Sequence, residues 1–96
     1  MDARVEAFLK DAVALQDHKP NQISEGVRQH LAEYEQLFRD AEPDQRKKDQ
    51  VVQRCRSLCR ERVIQEIAKG EAPADHLQAV LNVIDSPARA PQPPAA

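Results

Sequence analysis

The sequence is poor in glycine and in aromatic residues, and it has no long apolar run. Its 96 residues include two glycines, three aromatic residues and no tryptophan. Because sheets with tight hairpins need glycine in their turns, this scarcity argues against an all-β fold. No apolar stretch approaches the roughly 20 residues that cross a bilayer, so neither a transmembrane helix nor a membrane partner is predicted.

Motifs that mark several large enzyme classes are also missing. The sequence has no glycine-rich phosphate loop, no cysteine–histidine cluster at zinc spacing and no Gly-x-Ser-x-Gly motif. Its first residues lack the basic start and the continuous apolar stretch of a secretory signal. The missing motifs predict no catalytic residue and no cofactor. The absence of a secretory signal, together with only two cysteines, predicts a cytoplasmic protein in a reducing environment.

Charge is nearly balanced overall but uneven along the chain. The formal net charge is −2. Residues 1–42 carry nine acidic and five basic side chains, whereas residues 43–72 carry five acidic and eight basic ones. Opposite charge predicts that the two segments lie against each other, either within one chain or across a dimer. A mildly acidic total disfavours a dedicated nucleic-acid-binding protein.

Four segments place apolar residues at helical spacing, namely residues 3–16, 21–41, 44–69 and 75–84. Their ends carry the residues that start and stop helices. Asp2 and Asp44 are candidate N-caps, Pro20 and Pro43 interrupt the helical pattern, and Gly70 is placed as a C-terminal cap.

Two further signals concern the second and fourth helices. Gly26 weakens the start of the second helix, or allows a neighbouring helix to approach closely. Asp75 with Gln78 resembles a capping box at the start of the fourth helix.

These features predict an all-α fold, a small up-down bundle of three longer helices and one short helix. The bundle domain covers residues 1–85. Residues 86–96 contain four prolines and almost no apolar bulk, so they are predicted to be a disordered Pro/Ala-rich tail. A core this small would gain stability from a partner, and a homodimer is expected.

The cysteines and histidines do not predict a reactive or metal site. Cys55 and Cys59 share one helical face at a spacing unsuited to a disulfide, and we interpret them as small buried residues. An intermolecular redox role is the alternative. The three histidines His18, His30 and His76 are scattered, and we interpret them as polar surface or helix-boundary residues.

Two surfaces are candidates for function. The first is an apolar interaction surface, present if the fold leaves these residues exposed rather than in the core. Its residues are Tyr34, Leu37, Phe38, Leu77, Leu81 and Ile84. The second lies on the basic third helix, where phosphate contact would fall to Arg46, Arg56 and Arg60. Pairing of these arginines with acidic helices is the favoured interpretation, because no aromatic residue stands among them to stack on a base.

The sequence therefore favours a small non-enzymatic interaction or regulatory protein, which would bind itself or a partner protein through an apolar helical surface. A nucleic-acid-associated regulator that uses the third helix is the alternative. A metal-binding or catalytic bundle is the least favoured function, since a bundle of this size has little room for a substrate pocket.

Overall fold

The computed structural model describes residues 2–85, and four α-helices make up most of this range. The helices are α1 (Ala3–Val13), α2 (Pro20–Ala41), α3 (Lys48–Lys69) and α4 (Ala74–Asp85). A single 3-10 turn, Gln45–Lys47, leads into α3, and no strand occurs among residues 2–85. The predicted all-α class is confirmed. The predicted disordered tail, residues 86–96, lies outside the described residues.

Most of the predicted helix ends are confirmed by their hydrogen bonds. The Asp2 carboxylate accepts from the backbone N–H of Arg4 at 2.9 Å, and Asp44 accepts from that of Arg46 at 3.0 Å. Pro20 opens α2, where its missing N–H costs no helical hydrogen bond. Gly70 closes α3 with a φ of 74°, a left-handed conformation that favours glycine.

α3 begins at Lys48, after the 3-10 turn, rather than at residue 44, and the two shorter helices also differ from their predicted bounds. α1 stops at Val13 because the chain tightens into a turn, in which Leu15 N–H bonds to the carbonyl oxygen of Ala12 at 3.2 Å. α1 therefore has 11 residues and is about as short as α4, which has 12. α4 begins at Ala74, so Asp75 already lies within the helix and the predicted capping box is wrong.

α1 and α2 run antiparallel, and so do α2 and α3, in agreement with an up-down bundle. Between α1 and α2, Arg4 lies beside Phe38 and Asp11 lies beside Tyr34. Between α2 and α3, Arg39 pairs with Asp49 and Glu35 pairs with Arg56, so residue numbers fall along one helix as they rise along the other. Short connections between helices produce this arrangement. α3 contacts all three other helices, whereas α1 and α4 touch each other only lightly.

α4 is the most deeply buried helix, because half of its residues face the core between α2 and α3. Its buried residues are His76, Leu77, Val80, Leu81, Val83 and Ile84. The other helices contribute narrower apolar stripes, such as Cys55, Cys59 and Val63 of α3.

Gly26 confirms the predicted close approach. The side chain of Leu15 lies so near that a Cβ added at Gly26 would stand 2.8 Å from Leu15 Cδ1. The approaching element is the turn after α1 rather than a helix. A glycine at this position lets that turn pack directly on the backbone of α2.

Candidate interaction surface

The predicted apolar interaction residues are mostly core residues. Phe38, Leu77, Leu81 and Ile84 are buried in the single chain, and Tyr34 is half-buried against the core. Only Leu37 of this set is exposed, at 47%. The prediction of an exposed surface is thus corrected for the α4 residues, since α2 and α3 cover that helix on both sides.

The three predicted phosphate-contacting arginines have different surroundings. Arg56 is only 16% exposed and forms an ion pair with Glu35 at 3.0 Å. Arg60 pairs with Asp85 at 2.9 Å. Arg46 is 93% exposed, with Asp44 at 3.8 Å. The structure therefore does not bring the three guanidinium groups together as a free cationic surface, and Arg56 has a role inside the bundle.

Arg56 joins three helices. From α3 it reaches Glu35 of α2, and it also donates a hydrogen bond to the carbonyl oxygen of Ile84 in α4. Glu35 is itself only 17% exposed, so both charges are largely withdrawn from water and compensate each other. Lys48 has a similar structural role, because its ammonium group donates to the Arg39 and Glu42 carbonyl oxygens at the end of α2.

The two cysteines are fully buried and free. The adjacent Cys59 side chain lowers the pKa of the Cys55 thiol, and Cys55 together with burial raises the pKa of the Cys59 thiol. Their place in the core agrees with the interpretation as small buried residues.

His76 was predicted to be a polar surface or helix-boundary residue; it lies in the first turn of α4, but it is buried, so a surface position is wrong. The side chain is 8% exposed, and its Nε2 lies 2.8 Å from the carbonyl oxygen of Ala12 in α1. Because a carbonyl oxygen only accepts, Nε2 carries the proton in this hydrogen bond. Nδ1 has no hydrogen-bond partner among the residues that the structure describes. His76 therefore acts as a polar link between α1 and α4.

Tyr34 belongs to a polar group between α1 and α2. Its hydroxyl donates to Asp11 at 2.9 Å, and its ring meets Phe8 edge-on with centroids 6.2 Å apart. Burial and this hydrogen bond raise the pKa of Tyr34 to about 12. His30 stands beside the same carboxylate at 3.8 Å and near Glu33 at 3.4 Å. The group fixes one helix against the other.

An open cleft lies between the start of α1 and the first half of α3, with the end of α2 at its side. We call it the α1–α3 cleft. Its volume is about 470 Å³. Its lining residues are Asp2, Arg4, Phe38, Ala41, Glu42, Val51, Arg54 and Leu58. A smaller depression of about 90 Å³ continues it toward Glu61 and Gln65 and shares Asp2 and Leu58 with it.

The floor of the α1–α3 cleft is apolar and its rim is charged. Val51 and Leu58 are partly buried residues that pack against the core while keeping one side in the cleft. The Arg4 guanidinium lies 3.7 Å from the centre of the Phe38 ring and pairs with Asp2 at 2.9 Å. Such a cation–π contact holds the arginine in place at the rim.

The α3 side of the cleft carries a stripe with heptad spacing. We call it the α3 stripe, and its residues are Val51, Arg54, Leu58, Glu61 and Gln65. The steps of three and four residues place all five on one side of the helix. Arg54 and Glu61 are exposed and make no hydrogen bond or ion pair within residues 2–85.

Sequence reasoning missed the α3 stripe because it assigned Val51 and Leu58 wholly to the buried face. The 3-4-3-4 spacing was the signal that could have found it. The region around Val51 and Leu58 is only partly buried beside the start of α1, and α1 contacts α3 further along at Arg62, where Glu6 pairs with that arginine at 2.7 Å.

Comparison of the chain with protein-family models, with curated proteins and with solved structures gives no significant match. Within residues 2–85, no helix has both the length and the apolarity to span a membrane. The same part of the chain contains no cluster of three or more histidine, cysteine or acidic side chains arranged to hold a metal ion.

Proposed function

We propose that this chain is a small, non-enzymatic protein-interaction module and that the α1–α3 cleft is its docking surface. The observation that carries the proposal is the combination of a solvent-facing apolar floor, Val51 and Leu58, with two charged rim residues, Arg54 and Glu61, which have no partner in the described part of the chain. An apolar centre inside a polar rim is the usual anatomy of a protein interface.

The unpaired rim charges contrast with the other charges of α3. Arg56, Arg60 and Arg62 each have a carboxylate partner within 3.0 Å inside the chain. These three arginines therefore form ion pairs within the bundle. Arg54 and Glu61 have no such role, so they are available to set the orientation and specificity of a bound partner.

Site-specific photo-crosslinking tests this role with two matched positions on α3. A photo-reactive residue replaces Gln65, which lines the depression that continues the cleft, or Gln53, which is also exposed but lines neither. We expect a discrete protein adduct in cells from position 65, absent from position 53 and resistant to nuclease treatment.

Leu58→Lys, made in the position-65 variant, is expected to reduce that adduct at least about tenfold by placing a charge on the apolar floor. Ile64→Lys is its control, because Ile64 is 40% exposed on another side of the same helix. Circular dichroism verifies that both variants stay helical. Equal adducts from both positions, or an adduct removed by nuclease, would contradict a protein-docking cleft.

A further inference from the structure

The charges of the α3 stripe are self-complementary. Arg54 and Glu61 lie on the two sides of Leu58, one turn away in each direction. They are about 10 Å apart along the helix axis, too far to pair within one chain. When two copies of α3 lie antiparallel about a two-fold axis between Ser57 and Leu58, Arg54 of one copy faces Glu61 of the other, and this happens twice.

We propose that the occupant of the α1–α3 cleft is a second copy of this chain, docked antiparallel along the α3 stripe; this inference rests on the proposed docking role of the cleft. A two-fold axis brings the same patch of both copies together, so the patch must complement itself. The order of positive, apolar and negative residues along the stripe meets this requirement.

The apolar residues of the stripe fit the same register. The two Leu58 side chains meet beside the axis, where each fills part of the other copy's cleft. Val51 lies level with residue 64 of the second copy, beside Gln65 of that copy, and covers this region with aliphatic surface. Leu58 is then withdrawn from water at the centre, while the Arg54–Glu61 pairs close the two ends of the contact.

The spacing of Arg54 and Glu61 makes a second copy of the chain a better fit than an arbitrary apolar helix. A helix without an acidic residue opposite Arg54 and a basic residue opposite Glu61 would leave both rim charges partly desolvated and uncompensated. The second copy supplies both partners at the required seven-residue spacing, because the spacing is its own.

Charge exchange in the full chain tests this register. Arg54→Glu, Glu61→Arg and the double exchange are compared with the unaltered chain by sedimentation over a range of concentrations. Each single exchange creates two like-charge pairs across the axis, so we expect the dimer dissociation constant to rise about tenfold or more. The double exchange restores both pairs and returns the constant to within about threefold of its original value.

Arg28→Glu is the control for net charge. Arg28 is exposed on α2, has no partner within residues 2–85 and lies outside the cleft, so its exchange leaves dimerisation unchanged. Failure of the double exchange to restore the dimer would overturn the antiparallel register.

The outcomes also separate this inference from the proposed function. A chain that is monomeric at every concentration, yet gives an adduct with another protein from position 65, overturns self-association and leaves the docking role standing. A monomer without any such adduct overturns both. An adduct of the chain with itself from position 65 supports both.

Discussion

Tyr34 shows at the scale of one residue how packing changes chemistry. It is the only tyrosine of the chain. Its hydroxyl lies between α1 and α2, where burial and the hydrogen bond to Asp11 favour the protonated form. A phenolate at this place would face the Asp11 carboxylate directly.

The ultraviolet absorbance of tyrosinate should therefore titrate with a midpoint of about 12 rather than at the ordinary value of 10.0. Because the pKa is raised in the folded state, the stabilising contribution is complete below pH 10 and is lost as the pH rises through about 12. Tyr34→Phe should remove this alkaline loss of stability. A midpoint near 10 in the folded protein would refute the packing of Tyr34 against Asp11.

Single residues were predictable from sequence where their partners are sequence neighbours. Asp2, Asp44 and Gly70 act on backbone groups within four residues, so local rules identify them. The carbonyl partner of His76 lies 64 residues away. No local pattern distinguishes such a histidine from an exposed one, since its burial follows from packing.

At the scale of the helix, the ion pair between Arg56 and Glu35 fastens α3 to α2. Helical periodicity places Arg56 and Arg60 on one side of α3, as the structure shows, but it does not reveal which neighbour that side faces. The structure supplies two acidic neighbours, Glu35 in α2 and Asp85 in α4. Arg56 and Arg60, which suggested a phosphate-binding surface in the sequence, form ion pairs between helices in the structure.

A double-mutant cycle measures this contact. Arg56→Met should cost about 2–3 kcal/mol of unfolding free energy, since it also leaves the Ile84 carbonyl oxygen without this donor. Glu35→Gln should cost less, and the coupling energy should be about 1–2 kcal/mol. The matched control is the exposed pair of Arg39 with Asp49, where we expect less than about 0.5 kcal/mol. Similar coupling energies in denaturant unfolding of both pairs would contradict the assignment.

At the scale of the whole molecule, the positions of the helices were predictable from sequence, but which of their residues are buried by neighbouring helices was not. Apolar spacing located all four helices to within a few residues, because periodicity is a local property. The cleft depends on how the start of α1 lies against α3 and the end of α2. This is a property of the assembled bundle, so the sequence indicated an exposed apolar surface but assigned it to the wrong residues.

The bundle as a whole should lose stability in acid through the α1–α3 contact. The Arg62 guanidinium lowers the pKa of Glu6 from its ordinary value of 4.5. Since the folded-state pKa is lowered, the contribution of Glu6 is present above about pH 4.5 and is lost as the pH falls through the folded-state value.

Thermal unfolding should therefore show that Glu6→Gln lowers the Tm at pH 7 and that its Tm approaches that of the unaltered chain at acid pH. Glu25→Gln, at an exposed residue of α2 that has no partner within residues 2–85, is the control and should leave the Tm unchanged. A Glu6→Gln difference that persists undiminished in acid would show that the contact is not electrostatic.

The hydrogen bond between His76 and Ala12 has a consequence for the order of folding. It connects the first helix to the last across 64 residues. During synthesis α1 emerges long before α4, and at roughly 5–20 residues per second the delay amounts to several seconds. α1 and α2 can meet within that time, but the apolar face that α4 finally covers stays open on the nascent chain. Closure of the bundle is thus a late, long-range event whose timing is set by translation rather than by the speed of helix formation.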